Sequence, residues 1–404
     1  MIVRDVYLNK IIQLKDTYEL VKVITGVRRS GKSTLLLLFH KYLLEQGVPE
    51  SSIIFINFED FGYRELYNPA NLHDYISKRL ALNGKTYILL DEIQIVDEWE
   101  KVVNSLRINK NNDIFITGSN ASLLSGKLAT LLSGRYIELR IYPLSFREYL
   151  TFNCLEAKDK SDSFSDYMIS GGLPALAALP DQNNIKSNYL SDVVNTIIVK
   201  DIASHWQVRD IDLLNKLIGF LSSNIGKLTN ASNLAGFLTS IGTKTSSETV
   251  DNYLRLLEEG FIFLKALRYN LYGKYFMKTN SKYYIVDLGL RNAIIGSSGY
   301  DYGSSLENII FLELLRRGYT VYTGQFKDWE VDFVAKRKNE QLYIQVTASV
   351  ADENTLNREL RSLKAITDNH PKYILTMDKL PYDDFDGIKG INIIDFLLET
   401  HPIN

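Results

Sequence analysis

The segment from Gly26 to Ser33 places the strongest constraint on how this chain folds. It reads Gly-Val-Arg-Arg-Ser-Gly-Lys-Ser, which fits the pattern G-x-x-x-x-G-K-[ST]. An apolar, β-like run precedes it at Val21–Thr25, and a helical run follows from Ser33 to Leu44. A turn from a strand into a helix N-terminus gathers backbone N–H donors at one point, where anions bind. The context therefore predicts a site for the phosphates of a nucleoside triphosphate.

The individual positions of this loop have expected roles. Gly26 and Gly31 allow a tight turn and a close approach of the backbone to the ligand. Lys32 is expected to neutralise the β- and γ-phosphates, and Ser33 to ligate Mg²⁺ through its hydroxyl. A glycine turn that happens to carry a lysine is the alternative, and the agreement of strand, spacing and helix disfavours it. The residues expected to bind ATP are Gly26, Arg29, Ser30, Gly31, Lys32, Ser33 and Thr34.

Composition narrows the class of protein. The 404 residues suffice for two or three domains, and 45% hydrophobic and 23% charged residues are typical of a soluble globular protein. A net charge of −2 excludes a globally basic nucleic-acid binder but allows a local basic face. The single cysteine, Cys154, excludes an internal disulfide. Apolar runs such as Leu35–Phe39 are too short to span a bilayer, and no signal-peptide pattern is present. We therefore expect a soluble, cytoplasmic protein with no membrane partner.

Short apolar runs alternate with helical patterns between residues 20 and 150. This alternation is typical of an α/β fold with a parallel sheet, so we expect residues 1–150 to form the nucleotide-binding core. The predicted strands are Val21–Thr25, Ile53–Phe58, Thr86–Leu90, Ile114–Thr117 and Tyr136–Ile141.

Two acids, Asp91 and Glu92, follow the third predicted strand. A strand that is buried on both faces tolerates carboxylates only at its exposed C-terminal end, beside the phosphate loop. We expect Asp91 to hold Mg²⁺ and Glu92 to act as the general base for the attacking water. Capping of a following helix is the alternative role for the pair.

Polar residues also end the second and fourth predicted strands. Asn57 either hydrogen-bonds Glu92 and restrains it, or closes a turn on its own backbone, and the sequence leaves both open. After the fourth strand, any of Thr117, Ser119 and Asn120 is a candidate to orient the water or contact the γ-phosphate.

Arg135 stands immediately before the fifth predicted strand. From there an arginine can project from the domain edge toward the nucleotide of a neighbouring subunit. A planar, fixed cation in that place stabilises the charge that develops in the transition state. This role predicts a homo-oligomer, whereas a surface arginine without a role is the alternative.

Several motifs together match a known family. They are the Gly26–Ser33 loop, Leu-Leu-Asp-Glu-Ile-Gln, Thr-Gly-Ser-Asn, Ser-Gly-Arg before Tyr142–Glu148, and Gly171–Pro174. They resemble the AAA+ superfamily, and more narrowly prokaryotic AAA+ ATPases with a C-terminal domain of unknown function, many of them related to archaeal ATPases. The resemblance covers essentially the whole chain and implies a sheet with the Walker strands at its centre. It assigns Lys32 and Ser33 to Walker A, Asp91 and Glu92 to Walker B, and Arg135 to the arginine finger.

The next part of the chain is helical in pattern. Residues 151–205 are expected to form a lid or linker, for which Arg209 is the nearest candidate nucleotide sensor. Residues 206–285 show three helical patterns and then two strand-like runs, which is typical of a winged helix. Ten basic and six acidic residues in 207–282 favour a nucleic-acid face. Winged helices also dock proteins, so a DNA partner and a protein partner both remain open. The predicted elements are Leu213–Leu221, Asn230–Leu238, Ser246–Glu258, Phe261–Leu267 and Tyr283–Val286.

Residues 286–404 resemble the PD-(D/E)XK nuclease fold, an α/β domain like those of restriction endonucleases. Glu307 stands on a helical run, and Asp332 and Gln345 stand on two strand-like runs. Gln345 replaces the second strand acid of the family, and Thr347 replaces its lysine, although Lys336 or Lys338 could take over that role. A neutral amide binds Mg²⁺ poorly. We therefore expect a vestigial site that no longer cuts, while purely structural carboxylates are the alternative.

These observations favour Mg²⁺-dependent ATP hydrolysis that drives a conformational change linked to DNA or to a protein partner. A nucleotide-dependent binding switch with little turnover is a second hypothesis. An ATP-regulated nuclease that uses Glu307 and Asp332 is a third.

Overall fold

The computed structural model describes residues 2–81, 84–119, 132, 134–180, 184–204, 206–273, 275–296, 301–327, 329–379 and 384–399. The chain forms two compact units. The first contains Met1–Tyr142 with Glu259–Phe261, and the second contains Pro143–Glu258 with Ile262–Asn404. No helix in the described residues is long and apolar enough to cross a membrane.

The first unit is built on a parallel sheet of five described strands in the order β2-β3-β4-β1-β5. The two strands that carry the predicted phosphate loop and acid pair, β1 and β3, both lie inside the sheet on either side of β4. The strands are β1 (Val21–Thr25), β2 (Ile53–Asn57), β3 (Thr86–Asp91), β4 (Asn112–Thr117) and β5 (Tyr136–Arg140). The helices are α1 (Asp5–Leu14), α2 (Lys32–Glu45), α3 (Pro69–Ser77) and α4 (Trp99–Leu106).

Helices cover both faces of this sheet, which explains why its strands are almost continuously apolar. Val23 and Leu90 point to one face, where they pack with residues of α3 and α4. Ile24 and Leu89 point to the other face, where they pack with residues of α1 and α2. Both strands end at the carboxyl edge of the sheet, and the loop from β1 into α2 begins at that edge.

A buried ion pair joins the N-terminal ends of β1 and β4, away from the phosphate loop. The Lys22 ammonium donates to a carboxylate oxygen of Asp113, and both side chains are fully buried. Lys22 also donates to the carbonyl of Thr17 at 2.8 Å, and Asp113 accepts from the backbone N–H of Asp16 at 2.8 Å. Burial lowers the pKa of Lys22 and raises that of Asp113, and the pairing opposes both shifts. The pair is tolerated because its hydrogen bonds replace water.

We expect Asp113→Ala to destabilise the protein by about 3–5 kcal/mol, because it leaves the Lys22 charge buried without its carboxylate. Urea unfolding followed by circular dichroism measures the loss. The double variant Lys22→Met/Asp113→Leu is the control, since it removes both charges and should recover most of the stability. A double variant as unstable as Asp113→Ala would contradict this account.

The second unit contains an eight-stranded mixed sheet in the order β13-β12-β11-β10-β9-β7-β8-β6. Its strands are β6 (Leu228–Thr229), β7 (Phe263–Asn270), β8 (Tyr275–Ile285), β9 (Thr320–Phe326), β10 (Trp329–Arg337), β11 (Glu340–Thr347), β12 (Lys372–Thr376) and β13 (Ile388–Asn392). Its first helices are α5 (Phe146–Phe152), α6 (Lys160–Ser170), α7 (Ile185–Thr196), α8 (Ile211–Ser223), α9 (Ala231–Ser240) and α10 (Ser247–Glu259). Four more follow, α11 (Leu288–Ile295), α12 (Tyr302–Arg316), α13 (Glu353–Lys364) and α14 (Ile393–Leu397).

The three helices and two strands that the sequence indicates between residues 206 and 285 are present as α8, α9, α10, β7 and β8. Strand β7 pairs in parallel with β9, so one sheet includes strands that the sequence assigned to two modules. The domain boundaries at 150, 205 and 285 stay predictions.

The two glycines of the Gly171–Pro174 segment allow a close contact within the second unit. The N–H of Gly172 donates to Asp287 at 2.6 Å, and Asp287 also caps α11 through the N–H of Leu290. A Cβ on Gly171 would lie 2.1 Å from Asp287, and one on Gly172 would lie 2.5 Å from the carbonyl of Leu144. Larger residues would displace this buried carboxylate.

Candidate functional site

The phosphate loop connects β1 to α2 as the sequence predicts. Gly26 has φ +144°, and a Cβ there would lie 2.2 Å from the carbonyl oxygen of Ile141, so only glycine fits. Gly31, in the left-handed region, is the N-cap of α2. The Lys32 ammonium donates to the carbonyls of Gly26 at 3.0 Å and Val27 at 3.3 Å. The lysine is thus held over the loop that starts at Gly26.

Two features of the loop fit a bound phosphate group. The hydroxyl oxygen of Ser30 is fully buried and has no hydrogen-bond partner within the described part of the chain. The first N–H groups of α2 lack intrahelical partners by geometry and carry its positive dipole end. Arg29 and Thr34 are exposed, and Arg29 has φ +68°. The other predicted ligands are buried or half-buried.

The acid pair lies at the end of β3, at the same edge of the sheet. Asp91 is buried, and the hydroxyl of Thr117 on β4 donates to it at 2.5 Å. The same Thr117 oxygen accepts from the N–H of Glu92 at 2.9 Å. Burial raises the pKa of Asp91, and hydrogen bonds from Thr117 and from Ser33 of the phosphate loop oppose this. The contact between Ser33 and Asp91 brings together the two residues predicted to ligate Mg²⁺.

Of the three candidates after β4, Thr117 is the residue that contacts the acid pair. Ser119 is buried. Asn120 lies outside the described residues. Thr117 links Asp91 to the backbone of Glu92, which makes it a positioning residue for both acids.

Glu92 has a backbone conformation that residues other than glycine rarely adopt. Its φ is +54°, in the left-handed region, and its side chain is buried. The amide nitrogen of Gln94 donates to its carboxylate, and the other amide atom of Gln94, Oε1, is buried without a partner within the described residues. Strained backbone of this kind is concentrated at functional sites. The contact from Gln94 was missed at the sequence level, although Gln94 is only two residues away.

Asn57 lies next to Asp91, since the two residues are opposite each other on β2 and β3. Its side-chain oxygen accepts from the N–H of Glu59 at 2.9 Å, which closes a turn on its own backbone. Of the two roles that the sequence left open for Asn57, the turn is the one present here. The restraint on Glu92 comes from Gln94 instead.

Arg135 lies at the opposite edge of the sheet from the phosphate loop. Its carbonyl accepts from the N–H of Val21, the first residue of β1, whereas the loop follows the last. Five residues of strand separate the two ends, roughly 15 Å at about 3.3 Å per residue. Arg135 is exposed, and its role as an arginine finger stays a prediction.

A second arginine, Arg107, lies close to Arg135. Burial lowers the pKa of Arg107, and the charge of Arg135 adds to the effect. One guanidinium nitrogen of Arg107 donates to Asn104 at 3.2 Å, while its Nε is buried without a partner in the described structure. Arg107 is half-buried and Arg135 is exposed.

Arg4 contacts the phosphate loop, although no sequence motif indicates this contact. Its buried guanidinium donates to the carbonyl of Ser30 in the phosphate loop at 3.0 Å and to the carbonyl of Tyr142 at 2.8 Å. It also lies 4.5 Å from the centre of the Tyr7 ring. Arg4 therefore fixes the backbone of the phosphate loop from outside the motif.

The residues of the predicted vestigial nuclease site are brought together around a lysine from β8. Lys282 donates to Glu307 at 2.8 Å, and its ammonium lies 2.9 Å from a carboxylate oxygen of Glu330 and 3.8 Å from one of Asp332. Burial by itself would lower the pKa of Lys282. The three carboxylates outweigh this effect and raise the pKa of Lys282 well above its usual range. Burial raises the pKa of Asp332, and Glu307 adds to this while Lys282 opposes it.

Gln345 belongs to the same cluster. Its oxygen accepts from the N–H of Asp332 at 3.3 Å, and its amide donates to Glu359 at 2.8 Å. Neither Lys336 nor Lys338 takes the place of the missing lysine, because Lys336 lies over the ring of Tyr269 and Lys338 is in the β10–β11 turn. The described residues contain no group of three His, Cys, Asp or Glu side chains arranged to hold a metal ion.

The comparisons with known proteins identify the family. Residues 18–150 match a family model described as an AAA domain, and residues 161–301 match a domain of unknown function, DUF8612. An uncharacterized protein of Haemophilus influenzae is 44% identical over 402 residues, which cover 99% of each chain. The uncharacterized protein MJ1544 of Methanocaldococcus jannaschii is 32% identical over 414 residues, covering 98% of this chain and 90% of MJ1544. The chain belongs to the family of these two uncharacterized proteins.

The first unit is thus an AAA+ P-loop ATPase fold, as the motifs predicted. Among solved structures, the Aeropyrum pernix ORC1 protein in complex with DNA aligns with a TM-score of 0.30 at 14% identity, covering 73% of this chain and 92% of that one. A score of this size supports no conclusion about function. The winged-helix and nuclease-like assignments in the second unit stay predictions.

Proposed function

We propose that this protein binds ATP with Mg²⁺ and hydrolyses it, and that hydrolysis drives a conformational change. The observation that carries the proposal is the convergence of Lys32, Ser33, Asp91 and Glu92 at one edge of the sheet. Bound Mg²⁺ would neutralise charge on the β- and γ-phosphates and would be held by Ser33 and Asp91. Lys32 and the N-terminus of α2 bind the phosphates. Glu92 accepts a proton from the attacking water.

Gln94 supports the role of Glu92, because a donor to one carboxylate oxygen fixes the direction of the other. We expect Gln94→Ala to lower kcat about tenfold and to leave KM for ATP unchanged, since Gln94 is proposed to act on Glu92 rather than on ATP. Steady-state phosphate release measures both values. In the background of Glu92→Gln, the same change should cause no further loss, because Gln94 acts through Glu92. Equal kcat in the single variant and the wild type would contradict this role.

Arg135 is proposed to complete the site of a neighbouring subunit, with Arg107 beside it, in a homo-oligomer. The distance between Arg135 and the phosphate loop of its own chain supports this role. Mixing two inactive variants tests it. Arg135→Ala keeps Glu92, and Glu92→Gln keeps Arg135, so mixed oligomers contain interfaces that have both residues. Restored ATPase activity on mixing supports action between subunits, and an Arg135→Ala variant with full activity would exclude it.

We propose that ATP hydrolysis by this protein is coupled to a partner that docks on α10, the third helix of the predicted winged helix. This partner is either DNA or a protein. The exposed face of α10 carries Glu248, Asp251, Asn252 and Arg255, so it offers little net positive charge to a phosphate backbone. ATPase rates with and without duplex DNA, over a range of salt concentrations, separate the two. Stimulation that fades with salt would favour DNA, whereas no effect at any salt concentration would favour a protein.

For the nuclease-like region, we propose a scaffold that no longer cuts. A buried ammonium from Lys282 among Glu307, Glu330 and Asp332 supplies the positive charge that such carboxylates otherwise take from a metal ion. The site as folded therefore does not fit a divalent cation.

We expect Lys282→Met to lower the melting temperature, because three facing carboxylates lose their cation, and we expect Mg²⁺ without nucleotide to restore part of it. Thermal unfolding with and without Mg²⁺ measures both effects. Lys265→Met is the control, since Lys265 is a half-buried lysine paired with Glu258. Mg²⁺-dependent cleavage of plasmid DNA by the wild type, lost in Asp332→Ala, would instead establish an ATP-regulated nuclease.

A further inference from the structure

Two neighbouring hairpin ends in the second unit carry exposed aromatic rings. Strand β7 runs parallel to β9, with Asn270 opposite Gln325, so the turns after these strands lie side by side. Tyr272 follows β7 and is 72% exposed. In the second hairpin, Phe326 ends β9 and pairs with Trp329 at the start of β10, which is 37% exposed. The rings of Tyr272 and Phe326 are 6.2 Å apart, so the two turns present one continuous aromatic surface.

Cations lie directly beside these rings. The ammonium of Lys327 is 5.9 Å from the centres of both the Tyr272 and the Phe326 ring. The guanidinium of Arg361, on α13, is 4.5 Å from the ring of Trp329. We call the group of Tyr272, Phe326, Lys327, Trp329 and Arg361 the ring–cation surface.

The same arrangement continues along the sheet. Lys336 lies 3.8 Å from the centre of the Tyr269 ring, which in turn lies 6.0 Å from the ring of Tyr322. Within the described residues, Lys327, Lys336 and Arg361 form no ion pair. The acid Glu330, between these positions on β10, belongs instead to the cluster around Lys282. The positive charge beside the rings is therefore not neutralised by a described carboxylate.

Neighbouring strands show what an ordinary covered face of this sheet looks like. Val334 on β10 and Tyr343 on β11 are fully buried under Leu360 and Leu363 of α13. The rings of Tyr272 and Trp329, in contrast, are exposed. Exposed aromatic rings with cations beside them offer flat faces for stacking and positive charge for an anionic partner.

We propose that the ring–cation surface binds single-stranded nucleic acid. Unpaired bases stack on Tyr272 and Trp329, and the phosphates between them are neutralised by Lys327 and Arg361. Stacking needs the flat face of a base, which a duplex keeps inside its own stack, so a single strand is the partner that fits. This surface is separate from α10 and its binding does not depend on ATP hydrolysis.

The test uses the full chain and a fluorescently labelled oligo(dT) of about 20 nucleotides, with binding followed by anisotropy at low salt. We expect Tyr272→Ala and Trp329→Ala each to weaken binding by roughly tenfold or more, because a stacked base is lost. We expect Trp329→Phe to keep most of the affinity, since a ring remains. Phe61→Ala is the matched control, because Phe61 in the first unit is also an exposed aromatic residue (69%) with a cation, Arg64, beside its ring. This variant should bind the probe as the wild type does.

Three competitors distinguish stacking from charge alone. Unlabelled oligo(U) should displace the probe as oligo(dT) does, whereas a duplex of equal length and inorganic polyphosphate should displace it poorly. Equal competition by polyphosphate, together with unchanged binding by the two alanine variants, would overturn the proposal. Absence of oligo(dT) binding by the wild type at low salt would also overturn it. Circular dichroism of each variant verifies that the fold is intact.

Discussion

Glu92→Gln is expected to bind ATP as the wild type does and to hydrolyse it about 100- to 1000-fold more slowly. The amide is nearly the same size as the carboxylate, so the loop, Thr117 and Asp91 keep their positions. It cannot accept a proton from water, and the loss of a general base typically costs 10²- to 10⁴-fold. Phosphate release under saturating ATP measures turnover, and binding of a fluorescent ATP analogue measures affinity.

Glu45→Gln is the control for this substitution, because Glu45 is an exposed glutamate at the end of α2 that pairs with Lys41 on the surface. It should leave turnover unchanged. If Glu92→Gln hydrolyses ATP as fast as the wild type, Glu92 is not the base, and the water is activated by another group. A variant that loses ATP affinity as well would indicate that Glu92 holds the loop rather than the water.

Lys32→Met is expected to weaken ATP binding by roughly 100-fold, because truncating one partner of a buried, hydrogen-bonded charge pair costs about 2–5 kcal/mol. The methionine fills the same volume, so the fold should remain intact. Isothermal titration with ATP and Mg²⁺ measures the affinity. Hydrolysis should fall to background in the same variant at any ATP concentration below its new Kd.

The control for Lys32→Met lies on the same helix. Lys41 is 72% exposed and forms only a surface pair with Glu45, so Lys41→Met should bind ATP as the wild type does. Unchanged ATP affinity in Lys32→Met would contradict the assignment of the Gly26–Ser33 loop. Thermal unfolding of both variants establishes that neither effect comes from loss of structure.

Local patterns predicted the first unit well. The five strands lie within two residues of their predicted limits, because each is a short apolar run with polar residues at its end. The phosphate loop and the acid pair could be found because each is a run of neighbouring residues that ends or directly follows an apolar strand. Thr117 could be named only as one of three candidates, since the register between β3 and β4 decides which hydroxyl reaches Asp91.

Contacts between distant parts of the chain were not predictable in the same way. Arg4 is 26 residues from Ser30, and no spacing rule connects a residue before α1 to the phosphate loop. Lys282 is 25 residues from Glu307 and lies on a strand that the sequence assigns to another module. The sequence therefore indicates Lys336 and Lys338 as candidates for the missing lysine instead. The fold of the shared sheet, which contains both β8 and β10, brings Lys282 beside Glu330 and Asp332.

The most direct test of the ATPase proposal is phosphate release from ATP and Mg²⁺ by the wild type and Lys32→Met, over a range of protein concentrations. We predict that the wild type hydrolyses ATP well above the variant and that its rate per subunit rises with concentration, because Arg135 completes a neighbour's site. A wild-type rate no higher than that of Lys32→Met at every concentration, despite tight ATP binding, would contradict the proposal. That result would favour a nucleotide-dependent binding switch with little turnover.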